Sequence, residues 1–214
     1  MLSKAAKEKI AQTVKRYPLL SDLEESMTQA AGILVESVRK GGKLLICGNG
    51  GSAADSLHIV GELMKGFLLK REIPSQMRAR LAERFPEDAA YYANNLQETI
   101  PAISLVNEVS LLTAYGNDKC AELAFAQQVL GYGRTGDILM VLSTSGNSAN
   151  VIHAAKVASV LGLKVLALTG ADGGRLAAVS DILLAVPATE TYEVQELHLP
   201  VYHALCMAVE AELF

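Results

Sequence analysis

The stretch Leu44-Leu45-Ile46-Cys47-Gly48-Asn49-Gly50-Gly51-Ser52-Ala53-Ala54-Asp55 decides the fold. Its apolar start reads as a buried strand, its glycines as a tight turn and its small-residue tail as the opening of a helix. A strand that passes through glycines into a helix leaves several backbone N–H groups unpaired at one point, where the helix dipole also favours an anion. Such a turn suits a phosphate or a polyhydroxylated ligand. The pattern recurs: Ile138-Leu139-Met140-Val141-Leu142 runs into Ser143-Thr144-Ser145-Gly146-Asn147-Ser148, which is crowded with hydroxyl side chains. A hydrophilic turn that merely caps a helix would explain either loop alone. Two of them after two strands imply a sugar-phosphate pocket.

Outward from these loops, residues 43–47, 101–105, 138–142, 164–169 and 182–186 read as strands. Helical periodicity covers 20–38, the stretch from Ser52 onward, 119–130, 147–161 and the closing 190–214. Ser21 and Ser52 stand where N-caps belong, and Gly41-Gly42 ends the helix before the first strand. Strands alternating with helices predict an α/β three-layer sandwich with a parallel sheet, its ligands bound outside the carboxyl ends of the strands. Residues 1–40 form N-terminal helices. Residues 69–97 are richer in charge, from Lys70, Arg71 and Glu72 to Glu87 and Asp88, and contain Pro74 and Pro86. They read as a helical insertion with one amphipathic helix over 75–85. The whole of 1–214 reads as a single domain.

A net charge of −4 with both signs interspersed offers no basic face, which disfavours nucleic acid. No apolar run approaches the ~20 residues of a membrane-spanning helix, and residues 1–10 lack the apolar centre of a secretory signal, so the expected location is the cytoplasm. Cys47, Cys120 and Cys206 are odd in number and widely spaced, which fits reduced thiols rather than a disulfide framework or a cysteine-rich zinc site. The surplus of apolar residues points to a subunit interface, and no nucleotide cofactor is expected.

His58 and Glu62 lie four apart and share one face of the helix after the first loop. An imidazole beside a carboxylate suits general acid–base work or half of a metal site, although an ordinary exposed pair has the same spacing. The closing helix carries Gln195, Glu196, His198 and His203 among apolar residues, and buried polar groups there need partners. Gln195 and His203, eight apart, lie about 80 degrees around the helix from each other and can border one cleft. His153 reads as a helix-surface residue, and Gly170-Ala171-Asp172-Gly173-Gly174 as a chain reversal.

Taken together, Gly48-Asn49-Gly50-Gly51-Ser52, Ser143 to Val151, Leu168-Thr169-Gly170 with Asp172-Gly173-Gly174, and Gln195-Glu196-Leu197-His198 resemble the sugar isomerase (SIS) domain family. Within it the chain is most similar to the phosphoheptose isomerase branch, which interconverts sedoheptulose 7-phosphate and D-glycero-D-manno-heptose 7-phosphate. The resemblance spans nearly the whole chain except 69–97, where that family connects helix to strand more directly. It implies a five-stranded parallel sheet of flavodoxin-like order and a homotetramer with active sites at subunit contacts.

The resemblance also assigns roles. Glu62 and His203 match the catalytic carboxylate and histidine. His58, Glu62, Gln195 and His203 match a cluster that binds zinc in some relatives. Asn49, Gly50, Gly51, Ser52, Asp118, Ser143, Thr144, Ser145, Ser148 and Gln195 match positions around the sugar phosphate. A related branch that binds the replication initiator resembles an enzyme stripped of the acid–base pair, whereas this chain keeps both groups. It departs where the isomerases place an arginine shortly after the glutamate, having Gly66 there with Lys65 adjacent. The expected chemistry is aldose–ketose isomerisation through an enediol. The alternative is a non-catalytic phosphosugar sensor or initiator-binding protein.

Overall fold

The computed structural model describes residues 2–214. Five parallel strands, β1 (Leu44–Gly48), β2 (Ala102–Ser104), β3 (Ile138–Ser143), β4 (Lys164–Thr169) and β5 (Ile182–Ala185), form one sheet in the order β2-β1-β3-β4-β5. That is the flavodoxin-like order, with its switch point between β1 and β3. Register places Leu44 beside Ile138 and Gly48 beside Leu142, so the two ligand-type loops leave the sheet side by side. Every expected strand is present, because strands covered on both faces read as apolar runs with little alternation.

Both faces are buried. Leu44, Ile46, Met140 and Leu166 point to one side, against α1 (Lys4–Arg16), α2 (Glu24–Arg39), α3 (Gly51–Met64) and α9 (Thr191–Leu213). Leu45, Cys47, Leu139, Val141 and Val165 point to the other, against α7 (Ala124–Tyr132) and α8 (Ala149–Val160). Successive residues feed opposite cores, as the two-residue period of a strand requires. The closing helix α9 packs on α1, α2 and α3. It contains Pro200, which cannot donate a backbone hydrogen bond inside the helix.

The structure corrects several local expectations. Ser21 does not cap α2: residues 18–23 form a short 3-10 segment led by Pro18, and α2 begins at Glu24 with no side-chain cap. Ser52 is not a cap either. Gly50, at φ +55°, occupies that position, and Ser52 is buried one residue inside α3. α6 (Val109–Tyr115) runs into a π-turn over residues 116–120, and the single helix expected over 119–130 begins only at Ala124, as α7, after that turn and a 3-10 turn over residues 121–123.

Residues 65–101 leave the sheet as an excursion carrying α4 (Ser75–Arg84) and α5 (Ala89–Asn95), neither of which buries a residue. An antiparallel bridge between Glu72 and Gln97 closes its base. Its root is held differently from what its charge suggests. Arg71 is 2% exposed and pairs at 2.8 Å with the equally buried Glu210 of α9. The Glu210 carboxylate also accepts from the backbone N–H groups of Phe67, Leu68 and Leu69, while Arg71 donates to the Leu63 carbonyl at the end of α3.

Candidate active site

Two groups of side chains stand out, one at the carboxyl ends of the central strands β1 and β3 and one along the seam between α3 and α9. At those strand ends, the Asn49 and Asn150 amides exchange two hydrogen bonds of 2.9 Å, tying the first loop to the start of α8. The Ser143 and Ser148 hydroxyls lie 3.0 Å apart, and Ser145 accepts from the Asn147 N–H. Gly146 sits at φ +64° with the Gly173 carbonyl where a Cβ would go, so a side chain there is excluded twice over. Gly51 is needed for another reason. A Cβ on it would lie 2.6 Å from the Gln195 amide nitrogen, which places Gln195 of α9 directly over the first loop. Asp118 stands apart: it is exposed in the π-turn and accepts only from the Asn117 side chain.

Along the seam, Asp55, His58 and Glu62 follow one another at three and four residues and therefore share a face of α3. His58 Nε2 lies 3.2 Å from Glu62 Oε1, and Lys65 donates to Glu62 Oε2 at 2.9 Å. His58 Nδ1 meets the Tyr202 hydroxyl at 3.0 Å, and that hydroxyl donates to Asp55 Oδ1 at 3.2 Å. The His203 ring packs edge-on against His58 with centroids 5.0 Å apart, and against Phe67 at 5.4 Å. His203 also lines a cleft of about 590 Å³ with Arg16, Tyr17 and Phe67. Glu62 and His203 thus both abut His58, while the ten residues from Ser52 to Glu62 carry α3 about 15 Å away from the loop.

Sequence reasoning missed Asp55, Tyr202 and Asn150. Asp55 had a signal in its place three residues before His58. Tyr202 had one in its hydroxyl on an otherwise apolar face beside His203. Lys65, adjacent to the missing arginine, does bring its charge to Glu62.

The environment sets the protonation states. Burial pushes Glu62 upward, but Lys65 and His58 outweigh it and hold the carboxyl below its ordinary value. Burial, reinforced by the neighbouring His58, lowers His203 against the pull of Glu62, so its neutral ring is favoured. Asp55 is raised by burial, with Tyr202 and His58 opposing. His203 Nε2 and Asp55 Oδ2 are buried without a hydrogen-bond partner.

For zinc, the donors have the right chemistry. The 3.2 Å between His58 Nε2 and Glu62 Oε1 is close to the roughly 3.4 Å edge of a tetrahedron with ~2.1 Å metal–ligand bonds, and His203 Nε2 is free to join. Among the described residues, however, no three His, Cys, Asp or Glu side chains converge into a ready-made metal site. The pair fits and the full set is not closed.

The SIS domain family model matches the chain over residues 8–85 and 81–170. The phosphoheptose isomerase of Rhodospirillum rubrum is 41% identical over 194 residues, covering 91% of this chain and 89% of that protein. The solved phosphoheptose isomerase of Neisseria gonorrhoeae aligns with a TM-score of 0.73 at 36% identity over 93% of both chains. That of Francisella tularensis aligns with a TM-score of 0.76 at 32% identity, over 95% of this chain and 93% of its own.

Proposed function

The chain belongs to the SIS domain family, and on that premise we propose that it is a phosphoheptose isomerase converting sedoheptulose 7-phosphate into D-glycero-D-manno-heptose 7-phosphate. The observation that carries the mechanism is the meeting of Glu62 and His203 on the His58 ring, in a seam that begins at the first glycine-rich loop. The phosphate is held by backbone N–H groups and hydroxyls of the two loops, Asn49 to Ser52 and Ser143 to Ser148.

Glu62, held ionised, takes a proton from C1 of the ketose, while the neutral His203 ring gives one to the C2 oxygen. The product of that step is a cis-enediol. The return transfer places the Glu62 proton on C2, and the C1 hydroxyl proton goes back to His203, leaving the aldose. Gln195, above Gly51, orients the sugar chain between the two ends. Zinc is carried as part of the proposal: His58, Glu62 and His203 would hold it, whereas Gln195, over Gly51 and about 12 Å along α9 from His203, does not reach that set within the chain; the metal would polarise the substrate oxygens as a Lewis acid. Metal analysis of protein purified without chelator checks it.

Asp118 is proposed to approach the sugar in the assembled oligomer, a cytoplasmic homotetramer with active sites at its subunit contacts. Large apolar side chains left exposed, among them Leu19, Val109 and Val160, support assembly, and light scattering gives the state. Among the described residues no helix is long and apolar enough to cross a membrane. The decisive experiment is incubation with sedoheptulose 7-phosphate in deuterated water. The aldose should appear with deuterium at C2, whereas a phosphosugar sensor or initiator-binding protein would leave the sugar unlabelled.

A further inference from the structure

We propose that Tyr202 is a positioning residue that fixes which nitrogen of His58 carries the proton, turning the Nε2 lone pair of His58 onto Glu62. The inference deepens the isomerase reading and rests on it for its kinetic part. The tautomer itself follows from hydrogen-bond arithmetic. The Tyr202 hydroxyl lies between Asp55 Oδ1 at 3.2 Å and His58 Nδ1 at 3.0 Å. A phenol has one proton, and a carboxylate can only accept. The phenol proton therefore goes to Asp55, and the phenol oxygen must take its own hydrogen bond from His58. Nδ1 of His58 is the protonated nitrogen.

The consequence appears at the other edge of the ring. When the ring is neutral Nε2 is then an acceptor, 3.2 Å from Glu62 Oε1, which is also an acceptor; a ring protonated on both nitrogens donates from Nε2 to Glu62 instead. Two converging acceptors make a receptor for a donor, such as a substrate hydroxyl proton or a cation. The alternative tautomer would fill the same contact with the ring's own N–H and block it. Tyr202 is buried and belongs to α9, so the far helix dictates the chemistry of a side chain on α3. Asp55 gives the wire its direction, with its other oxygen buried and unpartnered.

The test is two-dimensional proton–nitrogen NMR of protein carrying 15N-histidine, which has only four histidines to assign, with His58→Gln identifying the signal. In the wild type Nδ1 of His58 should be the protonated, pyrrole-type nitrogen, and Tyr202→Phe should transfer the proton to Nε2. A pyridine-type Nδ1 in the wild type, protons on both ring nitrogens, or an unchanged spectrum in Tyr202→Phe, overturns the proposal. Kinetically, Tyr202→Phe should lower kcat about tenfold, the worth of one hydrogen bond, with KM within twofold. Adding Asp55→Asn to Tyr202→Phe should cost nothing further, because Asp55 acts through the phenol; additive losses would refute that. Were the wild type inactive on heptose phosphates, the isomerase reading would fall while the NMR result still decided the tautomer.

Discussion

At the carboxyl ends of β1 and β3 the chain builds its ligand loops from neighbours in sequence, whereas the α3–α9 seam joins residues 144 and 147 positions apart in the His58–Tyr202 and Asp55–Tyr202 contacts. The loops are defined by backbone, through positive φ angles, free N–H groups and glycines that admit close approach. The seam is defined by side chains whose partners arrive only when the closing helix docks. A loop can therefore be damaged at its ligand affinity and a seam at its turnover.

Substitutions can break that division, and the largest effect is expected at Glu62. Glu62→Gln should reduce kcat by 10² to 10⁴ while circular dichroism and the thermal midpoint stay near wild type. Unimpaired turnover would remove the seam from the chemistry. Next comes the anchor of the seam: Arg71→Met leaves the Glu210 carboxylate buried without its guanidinium and should cost about 3–5 kcal/mol in urea unfolding.

His198 probes the border between the two regions, since its Nε2 lies 3.2 Å from the Thr169 carbonyl at the end of β4. Burial lowers its pKa from 6.5 to about 4 despite the hydrogen bond to Thr169. The unfolded chain thus binds the proton first as pH falls. Stability from this group is full above pH ~6.5 and is lost progressively toward pH ~4, by roughly 3 kcal/mol in all. His198→Gln should flatten the stability profile over that window, and an unchanged acid slope would show that other groups set it. The smallest effect belongs to the loops: Ser145→Ala should raise KM for the phosphosugar about tenfold with kcat within twofold. A fall in kcat there instead would merge the two regions into one.

Much of this is legible in the amino-acid sequence. The five strands could be read because β1, β3 and β4 are buried on both faces and so have little polar alternation to confuse them. The loops could be read because glycine and serine act locally. What escaped were decisions taken by tertiary structure. Arg71 looked like one more charge in a solvated segment, yet its partner Glu210 lies 139 residues away and draws it into the core. Ser21 failed as a cap because Pro18 favours a 3-10 start that delays α2 by a turn. Lys119 to Leu130 had the period of one helix but not its continuity, since residues 116–123 spend themselves in two short turns. His58 and Glu62 could be paired from spacing, whereas Tyr202 required knowing where α9 lies.

Pro200 gives α9 an unequal pair of arms. Gln195 and His198, which reach the loop and the end of β4, stand on one side of the missing rung, and Tyr202, His203 and Glu210 on the other. The helix runs through that point without a break but with one backbone hydrogen bond fewer. Replacing the proline with alanine would restore the rung and stiffen the span between the end that faces the loops and the end that faces α3.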